Sequence, residues 1–446
     1  MKNIKYALIA LFLLLTGLWM MADTLLSGNV TFLALRSSAT DYTGILGIAA
    51  MSAALILATR PVWLEPVLKG LDKMYRLHKW LGISALTVSV IHWVWTQSPG
   101  WLVGLGWLTL PPRRPRPPAA EQVSGWLPSL SSLRHPAEAV GEWAFYISVL
   151  LLVLALIKRF PYKPFIQTHK ILALTYLALV FHAVVLMKSA YWSQPIGWVS
   201  AVLLAWGSVA AVRLLLKRAG QGRRVSGQVT DLEFLEQGEV LRVDITLQPG
   251  WAGHQAGQFA FVSFDDKEGP HPFTLSSAWM GDNSVSFLIK ELGDYTRQLR
   301  HSLKVGSAAK VEGPYGQFTF KGAQPRQIWV AGGIGISPFV ARLQALVRHP
   351  GRKNIDLFHC VSVSDAVGDE KLRAGSQEAA QVTLHQRLDA RDGFLTAQRI
   401  TELVPDWKKA EIWFCGPAGF GTALRRDFAA LGLPADSFHQ ELFNMR

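Results

Sequence analysis

The first half of the chain consists of long apolar runs separated by short basic stretches. A helix needs about 20 apolar residues to cross a hydrocarbon core about 30 Å thick. Six runs come close to that length, at residues 4–22, 42–59, 77–96, 140–157, 168–187 and 196–216. The pattern therefore predicts an all-α membrane bundle of six spans over residues 1–219.

The first of these runs has two interpretations. Lys2 and Lys5 precede it, as basic residues precede a signal peptide. However, Met20 stands where a small residue would favour cleavage after Ala22, and the run is long for a signal peptide. We expect a retained helix, with a cleaved signal as the alternative.

The second half changes to short runs punctuated by glycine and proline. Residues 227–248, 258–264 and 285–291 read as strands with turn residues between them, which predicts an antiparallel β-barrel with one helix over residues 220–322. Strand-like runs at 328–331, 355–363, 382–387 and 411–415 then follow, with an amphipathic helix at 339–347. They predict an α/β (Rossmann-like) domain over residues 323–446.

The charge follows the membrane pattern. The formal net charge is +13, and the connections after the second, fourth and sixth runs are basic. Because cytoplasmic loops are rich in Lys and Arg, we expect a multi-pass protein of a bacterial inner (cytoplasmic) membrane, surrounded by lipid, with both termini cytoplasmic. This topology explains the charge, and no nucleic acid partner is needed. The two cysteines form no C-x2-C pair, so an iron–sulfur cluster is not expected.

Four of the twelve histidines lie inside the apolar runs. His78 and His92 are fourteen residues apart in the third run, and His169 and His182 are thirteen apart in the fifth. Polar groups at such depth are costly and usually functional, and neutral imidazole is a ligand of haem iron. Since the two runs cross in the same direction, we expect His78 to pair with His169 and His92 with His182, each pair holding one haem.

Two points stand against a simple haem interpretation. An intramembrane histidine can instead hydrogen-bond a neighbouring helix. A thirteen-residue step also leaves two side chains about 140° apart on an ideal helix. His169 and His182 must therefore approach their partners from different directions, or their helix is distorted.

Two turns in the second half follow predicted strands. The sequence GGIGISP at residues 332–338 lies between a strand and a helix, where a pyrophosphate can approach backbone N–H groups. Simple packing is the alternative role. Residues 415–417, Cys-Gly-Pro, follow another strand, and ligands of open α/β sheets bind at that edge.

Together these motifs resemble the ferric reductase and NADPH oxidase superfamily, which joins a six-helix bis-haem domain to a ferredoxin–NADP reductase-type module. The resemblance implies FAD, two haem b groups, and NADH or NADPH as electron donor. Its implied haem ligands are His78, His92, His169 and His182. Its implied FAD contacts are His271, Pro272, Phe273 and Thr274 for the flavin, and Lys290, Gly293 and Thr296 for the phosphates. Its implied nucleotide contacts are Gly332, Gly333, Gly335, Ser337, Cys415, Gly416 and Pro417.

The resemblance also implies catalytic roles for Thr274, Cys415 and Phe443, the last as an aromatic cover over the flavin ring. The alternative for Phe443 is an apolar anchor of a terminal strand. NADPH-preferring members often have Ser/Thr-Arg where this chain has Ser-Val-Ser-Asp at 362–365. Arg387 and Arg391 are within reach of a 2′-phosphate, so the choice between NADH and NADPH stays open.

The implied activity is electron transfer from cytoplasmic NAD(P)H through FAD and two haems to an extracytoplasmic acceptor. A ferric chelate is our first expectation. The alternatives are dioxygen, giving superoxide, and a haem subunit that relays electrons to a quinone or a periplasmic protein. A proton-relaying transporter fits the histidines but not the nucleotide module. Arg113, Arg114 and Arg116 in the third connection are candidates for steering an anionic chelate.

Overall fold

The computed structural model of the chain describes residues 2–23, 31–109, 132–157, 159, 162–265 and 268–441. It divides into two units, Met1–Leu68 with Lys73–Ala219, and Lys69–Asp72 with Gly220–Arg446. The helices of the first half are α1 Lys2–Ala22, α2 Phe32–Ala58, α3 Leu64–Leu68, α4 Leu71–Gly104, α5 Arg134–Leu156, α6 Tyr162–Leu186 and α7 Pro195–Leu215.

Helices occur at all six predicted span positions, but the expectation of six spans is not confirmed. Among the described helices, five are long and apolar enough to cross a membrane, namely α1, α2, α5, α6 and α7. The third predicted span, α4, is not one of them. It is nevertheless the helix that contains His78 and His92.

Polar contacts fix the packing of α2, α5, α6 and α7. Tyr176 is fully buried, and its hydroxyl lies 2.8 Å from Ser52 Oγ. A Cβ at Gly207 would lie 2.2 Å from the same hydroxyl, so α7 can approach α6 only with glycine there. Ser148 Oγ donates to Thr175 Oγ1 at 3.0 Å and joins α5 to α6. These buried hydrogen bonds set the rotation of α6 about its axis, and α6 contains His169 and His182.

The antiparallel half of the second unit contains β1 Arg224–Leu235, β2 Val240–Leu247, β3 Phe259–Ser263, β4 His271–Thr274, β5 Ser284–Lys290, α8 Asp294–Ser302 and β6 Ala308–Tyr315. The six strands pair in the order β4-β3-β6-β1-β2-β5. The two edge strands approach each other through a bridge between Leu275 and Phe287, so the sheet nearly closes into the predicted barrel. Alternate residues of β5 are buried, as expected of strands with one face inward.

The parallel half contains β7 Arg326–Gly332, α9 Ser337–Arg348, β8 Asn354–Val361, α10 Ala366–Glu378, β9 Val382–Leu388, α11 Asp389–Asp392, α12 Ala397–Leu403, β10 Ala410–Cys415, α13 Ala418–Ala430 and β11 Phe438–Gln440. Its five strands pair in the order β11-β10-β7-β8-β9. Apolar clusters lie on both faces of the sheet, so β7 and β10 are buried along nearly their whole length, as parallel strands usually are. Because β7 and β10 are neighbours, the turns that follow them lie side by side.

Candidate functional site

The four intramembrane histidines form two pairs. The ring centres of His78 and His169 are 5.8 Å apart, and those of His92 and His182 are 6.4 Å apart. Two metal–imidazole bonds of about 2 Å each would separate opposed ring centres by roughly 6 Å. The spacing of both pairs therefore fits a metal ion held between two imidazoles.

Hydrogen bonds fix the tautomer of three of these imidazoles. His78 Nδ1–H donates to the carbonyl of Ala54 at 2.9 Å, and His92 Nδ1–H donates to that of Thr40 at 2.9 Å. His182 Nδ1–H donates to the carbonyl of Ala137 at 2.8 Å. A ring nitrogen that donates to a carbonyl leaves the other, Nε2, with its lone pair available to a metal. The donor set thus fits haem iron.

The His169 ring has different contacts from the other three imidazoles. Its ring stacks on Phe165 with centres 5.1 Å apart, and its Nδ1 is buried without a hydrogen-bond partner among the described residues. His182, thirteen residues later, turns instead toward α5. The two histidines of α6 thus have different neighbours, and each lies near its expected partner in α4.

Glycines make room for the His92–His182 pair. A Cβ at Gly141 would lie 1.9 Å from His182 Nδ1, and one at Gly44 would lie 3.2 Å from His92 Cε1. Both imidazoles line a cavity of about 460 Å³ between α2, α4, α5 and α6. Arg36 and Arg134 also line this cavity, although Arg36 donates to the carbonyls of residues 95 and 96 and Arg134 pairs with Glu138.

The predicted flavin residues lie on strand β4 and beside helix α8. Residues 271–274 form β4, with Thr274 buried. The His271 ring stacks on that of Tyr295, with centres 4.1 Å apart and planes 18° apart. Burial raises the pKa of Tyr295 to about 12, so its hydroxyl stays protonated at neutral pH. Tyr295 was missed in the sequence, although it lies inside the predicted phosphate-binding stretch.

The phosphate-binding stretch is organised by Thr296. Its Oγ1 accepts hydrogen bonds from the backbone N–H of Leu292 at 2.9 Å and of Gly293 at 3.0 Å. Thr296 thus shapes the turn that begins α8, and Lys290 ends the preceding strand β5. The predicted contact of Lys290, Gly293 and Thr296 with the FAD phosphates stays a prediction.

The two turns at the carboxyl edge of the parallel sheet pack tightly. Gly333 has a φ of +55°, a conformation that favours glycine. A Cβ at Gly335 would lie 2.2 Å from the backbone oxygen of Cys415, and one at Gly332 would lie 2.7 Å from Pro417 Cδ. Ser337 Oγ donates to the carbonyl of Ile334 at 2.9 Å and so stabilises the turn. The structure therefore brings the two predicted nucleotide-binding turns together.

Cys415 is 1% exposed, and burial raises the pKa of its thiol well above the usual value. A thiol in this environment is neutral, so any role beside a nicotinamide would be that of a small, uncharged contact.

The two arginines proposed for a 2′-phosphate both donate to Asp392. Arg387 donates to the backbone carbonyl of Asp392 at 2.6 Å, and Arg391 donates to the carboxylate of Asp392 at 3.0 Å. Phe443, and Arg113, Arg114 and Arg116, lie outside the described residues.

Comparison with known proteins identifies the two functional parts. Residues 43–180 match the family described as ferric reductase like transmembrane component, and residues 225–319 match an FAD-binding domain family. The chain joins a ferric reductase-like transmembrane domain to an FAD-binding domain. The first match includes His78, His92 and His169 and ends two residues before His182 (182 − 180). The second includes β4 and the turn before α8.

Similar proteins include an NADPH oxidoreductase of Mycobacterium tuberculosis, 25% identical over 44% of this chain and 55% of that protein. Respiratory burst oxidase homolog protein E of Arabidopsis thaliana is 27% identical over 44% of this chain and 23% of that protein. A flavohemoprotein of Oceanobacillus iheyensis is 24% identical over 34% of this chain and 40% of that protein. The chain thus spans about half, or less, of the length of these relatives.

Proposed function

We propose that the chain is an NAD(P)H-dependent transmembrane reductase that uses FAD and two b-type haems and passes electrons to a ferric chelate outside the cytoplasm. The proposal rests on the two pairs of facing imidazoles, in each of which the ring centres are about 6 Å apart. Three of the four imidazoles also donate through Nδ1–H to a backbone carbonyl. Helix-to-helix hydrogen bonding alone would not require two facing pairs.

In this proposal, one group of residues binds the nucleotide and the flavin, and the four histidines take part in electron transfer. The glycine turn at 332–335 and the turn at 415–417 would hold NAD(P)H, and β4 with Tyr295 would hold the flavin. When bound, FAD can accept a hydride from NAD(P)H and release electrons singly, as haem requires. The His78–His169 pair would receive those electrons first and the His92–His182 pair second, if the basic connections are cytoplasmic as proposed.

The proposed ligation by two histidines favours one mode of electron transfer to the acceptor but does not by itself identify the acceptor. If each haem were held by two of these imidazoles, its iron would have no open position, which would favour outer-sphere transfer over binding of oxygen at the metal. A ferric chelate needs only such outer-sphere contact, and the ferric reductase-like match supports it. Dioxygen is the second candidate, because one relative is a respiratory burst oxidase homolog. Relay to a quinone or a periplasmic protein is the third.

Anaerobic titration of the purified full-length protein with NADPH, and separately with NADH, tests the proposal. Haem absorbance should report complete reduction of two haems per chain, and the nucleotide effective at lower concentration identifies the donor. Ferric citrate, dioxygen and a soluble quinone are then added separately to the reduced protein. Fast reoxidation by ferric citrate supports the proposal. A preparation without haem, or haems that stay oxidised while flavin is reduced, would contradict it.

A further inference from the structure

A second cavity lies between the barrel and the parallel domain. Its volume is about 510 Å³, within the range of small-molecule sites. The barrel contributes residues 254–256 and 278–280, and the parallel domain contributes one side of α9 near its carboxyl end. From Ser337 at the glycine turn to Arg348 at this cavity, the helix rises about 16 Å. None of the residues predicted to bind the nucleotide or the flavin lines this cavity.

The lining of this cavity is basic. Five of its residues carry a cationic or imidazole side chain, and no lining residue is acidic; they are His254, Lys321, Arg342, Arg348 and His349. Lys321, Arg342 and Arg348 make no ion pair within 4.0 Å in the part of the chain that the structure describes. Like charges gathered in one cavity repel each other unless an anion neutralises them.

Two buried nitrogen atoms of the lining have no hydrogen-bond partner among the described residues. His254 is 8% exposed, and its Nε2 bonds to the carbonyl of Ser277 at 2.8 Å, while its Nδ1 has no hydrogen-bond partner among the described residues. Arg342 Nε is also buried without a partner, with the guanidinium 5.9 Å from the centre of the Phe320 ring. Buried polar groups in proteins are nearly always hydrogen-bonded. Arg342 Nε–H is a donor and so indicates a ligand that accepts, such as an anion. His254 Nδ1 is an acceptor, because the ring already donates through Nε2, and it can receive a hydrogen bond from a ligand hydroxyl.

Aromatic and apolar side chains complete the wall. Trp279 and Met280 line the cavity beside His254, and the Trp279 ring lies 5.7 Å from the His254 ring. Gln344 Oε1 accepts from the backbone N–H of Ala278 at 3.0 Å and ties α9 to the barrel at this point. We propose that this cavity binds a phosphate monoester of nucleotide size, with the phosphate between Arg342 and Arg348 and the organic part against Trp279. Because the walls come from both domains, the ligand would also stabilise their packing.

Calorimetric titration of the full-length protein with AMP tests this site. Saturating NAD⁺ and NADP⁺ are present throughout, so that the predicted nucleotide turn is filled. We expect one AMP per chain and binding of adenosine at least tenfold weaker, since a hydrogen bond to a charged group contributes enough for such a ratio. AMP that no longer binds once both dinucleotides are present would overturn the proposal.

Substitutions locate the binding. Arg348→Gln and Arg342→Gln should each weaken AMP binding about tenfold or more. Arg348 is exposed, so its variant should fold even where Arg342→Gln does not. Arg352→Gln removes the same charge four residues further along, outside the cavity, and should leave AMP affinity unchanged. Equal affinities of Arg348→Gln and Arg352→Gln would also overturn the proposal.

Discussion

At the scale of single residues, the histidines were predictable and their surroundings were not. Titratable side chains inside apolar runs are conspicuous, and matching depths were enough to pair His78 with His169 and His92 with His182. The carbonyls that orient the rings belong to other helices and have no sequence signature. Neither does Gly141, which is required only because His182 turns toward α5.

Gly141→Ala should therefore displace one haem. The new Cβ would overlap the His182 ring, which must then leave the carbonyl of Ala137. We expect the haem content per chain to fall by about half, because a ligand moved by 1 Å or more no longer holds its metal. Pyridine haemochrome assay of the purified variant measures this. Gly82→Ala is the matched control, since nothing lies within 4 Å of a Cβ there; full haem content in both variants would contradict the expectation.

The buried carboxylate of Asp356 gives a prediction for stability. Burial alone would raise its pKa, but hydrogen bonds from His385 at 3.2 Å and Arg326 at 2.9 Å outweigh burial and lower the pKa below 3.8. A carboxyl whose pKa is lowered on folding stabilises the protein above its unfolded pKa, and that contribution is lost as pH falls through the folded pKa.

Asp356→Asn should cost about 1–3 kcal/mol at pH 7, because it removes a charged acceptor from two donors. The difference from the parent should shrink as pH falls below about 4. Urea denaturation of residues 220–446 at several pH values measures both effects. The control is Asp231→Asn on the exposed surface of β1, which should change the free energy of unfolding little. A loss that is the same at pH 3 and pH 7 would count against an ionised Asp356.

At the scale of elements, α2 explains why the fourteen-residue spacing in α4 works. Its Thr40 and Ala54, whose carbonyls receive His92 and His78, are also fourteen residues apart. The two antiparallel helices therefore place each of these carbonyls opposite the histidine that donates to it. Sequence patterns located both helices but not their ends: α2 begins at Phe32 and not at residue 42, and α4 runs from Leu71 to Gly104 and not from 77 to 96. Hydropathy does not mark α4 as a span, although it contains two of the four histidines. Element position could be predicted, and the lipid-facing fraction of each helix could not.

The glycine turn after β7 gives the prediction at this scale. In Gly335→Ala the new Cβ would lie 2.2 Å from a backbone oxygen of the neighbouring turn, so the two turns must separate. We expect the rate of flavin reduction by NAD(P)H to fall roughly 100-fold, as misplacement by about 1 Å can do. Stopped-flow absorbance measures the rate. Gly419→Ala, at a nearby position with open space around its Cβ, should keep the parental rate; equal slowing of both would argue for general damage.

At the scale of the whole chain, the order of domains could be read from the change of pattern near residue 220. Long apolar runs give way to alternating strands there, and the structure divides its units at Ala219 and Gly220. The predicted boundary between residues 322 and 323 stays a prediction, because the barrel and the parallel domain belong to one unit. The acceptor could not be read at all, since outer-sphere transfer demands no particular side chain.

This organisation predicts that residues 220–446 fold and bind FAD without the helical half. Their clusters of buried apolar residues are large enough to sustain a domain of this length. The purified fragment should retain FAD in about equal amount to protein and reduce ferricyanide with NAD(P)H. Absorbance spectra and steady-state assays measure both. A fragment that is folded by circular dichroism but never retains added FAD would contradict the prediction.

The proposed direction of electron flow gives the last prediction, because in that proposal the two histidine pairs act in series. His92→Ala or His182→Ala should remove one haem and leave the other reducible by NAD(P)H, while reduction of ferric citrate stops. His78→Ala or His169→Ala should remove the haem proposed to receive electrons from the flavin. The remaining haem should then be reduced by dithionite but at least 100-fold more slowly by NAD(P)H, since one step of the proposed electron path is missing. A double variant that lacks one ligand of each pair, His78→Ala with His92→Ala, is the control for haem-free protein. If the haem left in the His78 variant is reduced by NAD(P)H at the parental rate, the order is reversed or the two pairs accept electrons in parallel.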